Sequence, residues 1–300
     1  MEKIEKIEHD YLESYFMWMQ YVETNPERFG GLSYPLSYSR WANVLKNRGH
    51  QICPICKQIG AYSFVVDDVE HEYKCLCNVA SWTYRQEQMT ERWKDPFEYT
   101  PWSVITPTSK FGAINDKKPA EAIEATAAAL KSLEDFTRGK MRWHILRGTF
   151  GCGKSTMLKM VATRLQPIAT YVTAGNLKNR FRDAAVDDET GAGLSTLIES
   201  FSKVRILLID DIGMEYDGSG FTSKTLRNII DNRMAFPFRF PTIVTTNMRL
   251  HDGDLLAGKN PDDTRAIVSR FLDPRYSDVH YIYQGDARRV GYESVMKGGL

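Results

Sequence analysis

One stretch of the chain combines glycines, a lysine and hydroxyl side chains at a spacing suited to binding phosphates. Residues 148–156 have the sequence GTFGCGKST, which fits the pattern G-x-x-x-x-G-K-S between an apolar strand and a helical pattern. Glycines let backbone N–H groups turn towards a triphosphate, Lys154 can reach its β- and γ-phosphates, and the Ser155 hydroxyl can ligate Mg²⁺. The residues predicted to bind ATP and magnesium here are Gly148, Gly151, Gly153, Lys154, Ser155 and Thr156.

Two carboxylates follow the third apolar strand pattern, about sixty residues after the glycine-rich stretch. Asp210 and Asp211 end the run Ile206-Leu207-Leu208-Ile209, and carboxylates at the end of a parallel strand lie beside the phosphates of a nucleotide. Asp210 is predicted to hold Mg²⁺ through water, and Asp211 to orient and polarise the attacking water. Taken alone, this pattern also fits a strand followed by a turn.

Asn247 ends the next buried strand pattern, PTIVTT. At that position its amide could hydrogen-bond the γ-phosphate or the attacking water. By itself Asn247 would be an ordinary turn residue.

Four of the five cysteines are grouped in two close pairs, while the fifth, Cys152, lies in the glycine-rich stretch. The pairs form C-P-x-C and C-x-C, separated by eighteen residues. Two thiolate pairs brought together across a hairpin give a closed tetrahedral site, for which structural Zn²⁺ is the expected metal. Because the second pair is C-x-C, His71 or His50 remains an alternative ligand. The predicted zinc ligands are Cys53, Cys56, Cys75 and Cys77.

Composition sets broad limits on the class of protein. The 300 residues suit two domains, and 39 basic against 38 acidic side chains neither favour nor oppose nucleic-acid binding. The amino-terminal residues lack the apolar core of a secretory signal, and no apolar run reaches membrane-spanning length. We therefore expect a cytoplasmic protein that does not contact membranes.

The first part of the chain is predicted to be helical. Residues 2–23 place apolar side chains at three- and four-residue steps, and residues 38–46 fit a second short helix. The aromatic face of the first helix is interpreted as the core of a small domain, or alternatively as a docking face that includes Trp18 and Tyr21. Residues 81–94 interleave aromatic and basic side chains, which fits an amphipathic linker helix better than a base-stacking surface.

Strand and helix patterns alternate in the second part, after a helix that begins at Pro119 and ends before Gly139. Short apolar strands joined by helices predict an α/β fold with a parallel sheet covered on both faces. The strands are placed near 143–147, 168–173, 205–210, 241–246 and 279–283. The helices between them are placed near 154–165, 175–185, 193–202, 221–235 and 262–272.

These motifs, taken in order, resemble the AAA+ ATPases of the bacterial and phage helicase-loader and IstB-type clade. The resemblance covers about residues 111–300 and rests on five segments. They are G-x-x-G-x-G-K-S-T, YVTAGNL from Tyr171, LLIDDIGME, PTIVTTN, and AIVSRF from Ala266. The resemblance implies a P-loop AAA+ sheet with flanking helices, preceded here by a small helical and zinc-ribbon-like domain.

The resemblance also implies roles for arginines, which stay charged and meet phosphate oxygens with a planar fork. Arg270 corresponds to the arginine finger donated across a subunit interface, with Arg265 and Arg233 as the next candidates. Arg289, or less surely Arg288, corresponds to a second phosphate-sensing arginine. Single-stranded DNA contacts are implied for the helix that carries Lys178, Arg180 and Arg182, where a solvated basic face is the alternative.

The function implied is ATP-dependent loading of a hexameric replicative DNA helicase onto single-stranded DNA by an AAA+ oligomer. The implied layout is a helical partner-binding region in residues 1–48, a zinc module in 49–80, a linker in 81–110 and the ATPase domain in 111–300. The zinc module favours a loader. Because the segment after the last predicted strand is short, we do not expect the helical lid and DNA-binding domain of replication initiators. The alternatives are an IstB-like transposition ATPase that coats DNA and recruits a transposase, and a nucleotide-gated adaptor with little hydrolysis.

Overall fold

The chain forms two compact units. The first consists of Met1–Arg92 and Arg164–Ile168, and the second of Trp93–Thr163 and Ala169–Leu300. The computed structural model describes residues 6–26, 53, 55–57, 59–66, 68–105, 119–186, 192–213, 220–248 and 261–283. The predicted helix at 38–46, His50 and both carboxyl-terminal arginines, Arg288 and Arg289, lie outside the described residues.

The first unit contains a small three-stranded sheet in the order β1-β3-β2. Strands β2, Ala61–Val66, and β3, Val69–Lys74, form an antiparallel hairpin, and β1, Lys6–Glu8, pairs parallel with β3. The prediction of one helix over residues 2–23 is therefore wrong for residues 6–10. Helix α1, Tyr11–Thr24, begins at Asp10, whose carboxylate accepts hydrogen bonds from two backbone N–H groups in a capping box with Glu13.

The aromatic side of α1 forms the core of this unit, as the sequence favoured. Trp18 is 3% exposed and its indole N–H donates to the Lys74 carbonyl at 2.9 Å, so Trp18 belongs to this core. Tyr21, the other residue of the docking alternative, is 37% exposed. Helix α2, Leu76–Trp93, begins five residues before the amphipathic helix predicted for 81–94 and ends one residue before its predicted end. Trp82 is buried and stacks on Tyr11, which supports packing rather than base stacking.

The second unit contains a parallel five-stranded sheet in the order β5-β6-β7-β4-β8. Its strands are β4, Trp143–Gly148; β5, Ala169–Thr173; β6, Ile206–Ile212; β7, Thr242–Thr246; and β8, Ser277–Ile282. Its helices are α3, Pro119–Thr137; α4, Lys154–Arg164; α5, Ala174–Val186; α6, Ala192–Lys203; α7, Phe221–Met234; and α8, Pro261–Phe271. The predicted α/β class, the five strands and the intervening helices are thereby confirmed.

The inner strands of the sheet consist of apolar residues, as expected for strands that are buried on both faces. Side chains 206–209 of β6 and 145–146 of β4 have no solvent exposure. The register between β6 and β7 shifts between Ile209 and Ile212, which leaves Asp210 and Asp211 at an irregularity at the strand end. Among the described residues, none of the helices is both long and apolar enough to cross a membrane.

Arg233, on α7, is a structural residue. Its guanidinium has no solvent exposure and donates to the Thr242 hydroxyl and to the carbonyls of Phe201, Val204 and Pro241. All of these acceptors belong to the same unit, so the suggestion that Arg233 is an alternative arginine finger is wrong.

Candidate nucleotide site and zinc centre

The glycine-rich stretch forms a loop between β4 and α4. Gly151 and Gly153 have φ angles of 74° and 97°, a region that side chains other than glycine rarely adopt. A Cβ on Gly148 would lie 2.6 Å from the Ile282 carbonyl oxygen and 2.7 Å from the Cys152 sulfur. Glycine is therefore needed at these positions for backbone geometry or for space. Thr156, the last residue predicted for this site, lies half-buried in the first turn of α4.

Lys154 lies under this loop and connects it to the end of β7. Its side chain is buried, and Nζ donates to the carbonyls of Gly148 and Thr149 at 2.9 and 2.7 Å. Nζ also donates to Asn247 Oδ1 at 2.7 Å. The structure therefore brings together Lys154 and Asn247, which are 93 positions apart in the chain.

Asp210 accepts three hydroxyl hydrogen bonds from three different elements. Oδ1 accepts from Ser155 at 3.0 Å and from Thr245 at 2.6 Å, and Oδ2 accepts from Tyr171 at 2.8 Å. Asp210 is 5% exposed, and these donors satisfy its buried oxygens. The sequence pointed to Ser155 as a neighbour but not to Tyr171 or Thr245.

Asp211 lies beside Asp210 in a backbone conformation uncommon for a residue with a side chain. Its φ angle is 63°, its N–H donates to the Thr245 hydroxyl at 2.7 Å, and its Oδ1 accepts from Asn247 Nδ2 at 2.7 Å. Such strain is found at sites where the surrounding structure fixes a functional side chain. Burial and the neighbouring charge of Asp210 raise the pKa of Asp211, while Lys154 and Asn247 act in the opposite direction.

This group of side chains suits a phosphate chain with a divalent cation. Lys154 and the loop N–H groups supply positive charge and donors for phosphate oxygens. The Ser155 hydroxyl and the Asp210 carboxylate, 3.0 Å apart, are the oxygen ligands that Mg²⁺ prefers. The residues present therefore fit magnesium, and Asp211 and Asn247 remain beside it as a carboxylate and an amide.

The other predicted basic residues lie in different surroundings. Arg270, near the end of α8, is one-third exposed; it forms an ion pair with Asp231 and donates to the Ala266 carbonyl at 3.0 Å. Arg265 is 72% exposed, with Asp262 3.8 Å away.

The basic helix α5 does not present three equivalent side chains to solvent. Arg180 donates to Asp95 Oδ1 at 2.7 Å and to the Trp93 carbonyl, so its guanidinium is engaged within its own unit. Arg182 is exposed and Lys178 is half-buried.

The four paired cysteines form one cluster in the first unit. All four sulfurs lie within 4.8 Å of one another; Cys53 and Cys75 are 3.7 Å apart, and Cys56 and Cys77 are 3.6 Å apart. A tetrahedron with Zn–S bonds of about 2.3 Å has edges of about 3.8 Å, so these separations fit Zn²⁺. They are far too long for disulfide bonds.

Local backbone structure positions both cysteine pairs. Cys53 and Cys56 lie on a turn closed by a hydrogen bond from the Lys57 N–H to the Cys53 carbonyl. Cys75 donates its N–H to the Gly60 carbonyl and directly precedes α2, and Cys77 lies in the first turn of that helix.

His71, the alternative ligand, lies elsewhere in the unit. Its Nδ1 is 2.9 Å from His9 Nε2, and it is absent from the metal-ligand cluster found among the described residues. The structure therefore favours four sulfur ligands.

Among the comparisons with known proteins, only the comparison with solved structures gives matches. No protein-family model matches the sequence, and no curated protein is significantly similar to it. The chain is similar to the AMPPCP-bound DnaA from Aquifex aeolicus, with 17% identity over 59% of this chain and 52% of that chain, and a TM-score of 0.43. It is also similar to the DnaC helicase loader, with 16% identity over 61% of this chain and 96% of that chain, and a TM-score of 0.45.

A third similar structure, DnaI, is 21% identical over 59% of this chain and 94% of that chain, with a TM-score of 0.42. The alignment with the initiator DnaA spans about half of that chain, whereas the alignments with DnaC and DnaI span almost all of theirs.

Proposed function

We propose that this protein is an ATPase that loads a hexameric replicative DNA helicase onto single-stranded DNA. The observation that carries the ATPase part is the convergence of five side chains at one end of the parallel sheet: Lys154, Ser155, Asp210, Asp211 and Asn247. This set supplies a phosphate-binding cation, magnesium ligands and a carboxylate beside them.

Each of these side chains has a separate task in the proposed hydrolysis. Lys154 exchanges its carbonyl partners for the β- and γ-phosphates. Ser155 would bind Mg²⁺ directly and Asp210 would hold it through water, and the ion would neutralise phosphate charge. Asp211 accepts a hydrogen bond from the attacking water and orients it. Asn247, which already contacts both Lys154 and Asp211, holds these two groups in one arrangement and hydrogen-bonds the γ-phosphate or the water.

Arg270 is proposed to complete the site of a neighbouring copy. Its contacts with Asp231 and Ala266 hold it on α8 of its own chain, with about a third of its side chain open to solvent. Both contacts are made by the guanidinium group, which would exchange them for phosphate oxygens of a neighbouring subunit. The proposal therefore requires an oligomer in which ATP lies between subunits; Arg289 is proposed as a second phosphate-contacting arginine.

The loader part of the proposal is supported by the four-cysteine module on the amino-terminal side of the ATPase domain and by the sequence resemblance to helicase loaders. We assign residues 1–48 to helicase binding, 49–80 to the zinc module, 81–110 to the linker and 111–300 to the ATPase domain. Lys178 and Arg182 of α5 are the proposed contacts to single-stranded DNA.

Mixing two inactive variants tests the shared ATP site. In Lys154→Ala the phosphate site is defective but Arg270 is intact, and in Arg270→Ala the reverse holds. Each variant alone should be nearly inactive, because an arginine supplied in trans contributes about 10³–10⁵ in rate in other nucleotide hydrolases. Mixing should restore part of the ATPase rate. A mixture that stays inactive, although both variants oligomerise, would contradict hydrolysis at subunit interfaces.

A nucleotide-gated adaptor with little hydrolysis is the second candidate. It is favoured by one observation, namely that the side chain of Asp211 is short and that its Oδ1 already accepts a hydrogen bond from Asn247 at 2.7 Å. Single-turnover hydrolysis with and without single-stranded DNA separates the two candidates. The loader predicts a rate that DNA increases, whereas the adaptor predicts ATP binding with almost no product in either condition.

A further inference from the structure

Tyr171 lies on β5, the edge strand of the sheet, and its hydroxyl reaches the neighbouring strand. It is 2% exposed and donates to Asp210 Oδ2 at 2.8 Å. The Phe97 ring packs against the Tyr171 ring with centroids 5.3 Å apart. Burial and the charge of Asp210 raise the pKa of Tyr171, so its hydroxyl stays protonated and remains a donor at neutral pH.

The three hydroxyl donors to Asp210 are not equivalent. Ser155 and Thr245 both donate to Oδ1, whereas Tyr171 donates to Oδ2. Mg²⁺ would bind the oxygen of Ser155 and leave its hydrogen in place, so these hydrogen bonds are compatible with the proposed magnesium site. One donor on each oxygen fixes the plane of the carboxylate, whereas a single donor leaves it free to rotate about that contact.

Asp95 fixes the strand that carries Tyr171. Its N–H donates to the Tyr171 carbonyl at 2.7 Å, and its carboxylate accepts from the Thr173 N–H at 2.7 Å. These bonds satisfy backbone groups on the open edge of β5. Asn176 and Arg180 also donate to the same carboxylate, which is 3% exposed. Thr173 is in register with Asp210 across the strand pair, so this fixed edge is adjacent to the magnesium carboxylate.

We propose that Tyr171 is a positioning residue that holds Asp210 in the orientation required for Mg²⁺, and that Asp95 holds Tyr171 in place through the edge of β5. This inference rests on the proposed function, because it gives Asp210 the magnesium role. It also assigns Arg180 to the neutralisation of Asp95.

The test measures how strongly Mg²⁺ improves nucleotide binding. The Kd of a fluorescent ATP analogue is determined with a chelator and with Mg²⁺, and the Kd with chelator divided by the Kd with Mg²⁺ is compared between the intact chain and Tyr171→Phe. The ratio should fall about tenfold, since a hydrogen bond to a charged group is lost, while the Kd without Mg²⁺ stays within about twofold. Tyr99→Phe is the matched control, because Tyr99 is 74% exposed, and its ratio should equal that of the intact chain.

Asp95→Asn is the second variant, and it leaves Asp210, Tyr171 and the phosphate loop unchanged. Its ratio should fall in the same direction by a smaller factor, and it decides the question if Tyr171→Phe does not fold. An unchanged ratio in folded Tyr171→Phe overturns the inference, and so does an equal loss of affinity with and without Mg²⁺, which indicates a purely structural tyrosine. Failure of the intact chain to bind the analogue overturns the proposed function itself.

Discussion

The zinc cluster gives a prediction whose size can be worked from the structure. Replacing Cys75 and Cys77 with serine removes one sulfur from each of the two close contacts, at 3.7 and 3.6 Å, and leaves two of four ligands. A structural Zn²⁺ site contributes about 10–16 kcal/mol in small zinc-binding peptides, and a whole domain is stable by about 5–15 kcal/mol. Loss of the metal should therefore unfold the first unit outright rather than weaken it.

Elemental analysis and hydrogen exchange measure this effect. The intact chain should contain about one zinc, the double variant should contain none, and amides of β2, β3 and α2 should lose protection. The five strands of the second unit should keep theirs, and ATP binding should survive. Cys152→Ser is the control: Cys152 lies in the phosphate loop, so the zinc should be retained. Full zinc content in the double variant would refute the reasoning.

Three further predictions concern the second unit. Asp210→Asn should weaken Mg²⁺-dependent nucleotide binding, which titration measures. Asp211→Asn should still bind MgATP but hydrolyse it at least about tenfold more slowly, which kinetics measures. Equal losses of ATP affinity in both variants would argue against separate roles. Arg233→Met should lower the free energy of unfolding by about 4 kcal/mol, because it leaves buried carbonyl acceptors unpaired, while Arg270→Met should lower it by less than about 1 kcal/mol. Denaturant titration measures both values, and similar losses would contradict the structural role of Arg233. Burial lowers the pKa of His144 to about 3. Below the ordinary histidine pKa of about 6.5 the unfolded chain binds a proton that the folded chain does not, so the free energy of unfolding decreases as pH falls. Between pH 7 and pH 5 this decrease should be about 2 kcal/mol larger in the intact chain than in His144→Gln, and equal decreases in the two proteins would contradict the prediction.

The sequence predicted the features that depend on local pattern. The five strands are continuous apolar runs, and the helices between them have regular apolar spacing, so their existence did not depend on knowing the fold. The cysteine cluster could be predicted from its motif spacing. The contacts of Lys154 with Asn247 and of Ser155 with Asp210 could also be predicted, because a parallel sheet places these strand ends together.

Features that depend on distant partners were missed. Strand β1 has three residues and is stabilised by pairing with β3, where Lys6 lies opposite Glu70. The helical spacing of apolar residues in 2–23 therefore led to a wrong prediction for this segment. The contact of Arg180 with Asp95 was not predicted, because the two residues are 85 positions apart in the chain. Tyr171 reaches Asp210 because β5 and β6 are neighbours in a particular register, which no spacing in the chain specifies.

The central claim is ATP-dependent delivery of a hexameric helicase to single-stranded DNA, and a reconstituted loading reaction tests it most directly. The host replicative helicase is incubated with closed circular single-stranded DNA, whose lack of ends prevents threading, and DNA-bound hexamers are counted after a salt wash. This protein with ATP should increase the bound hexamers several-fold, and Lys154→Ala should give no increase. The same number of hexamers with and without the intact protein, under conditions where it binds ATP, would contradict the claim.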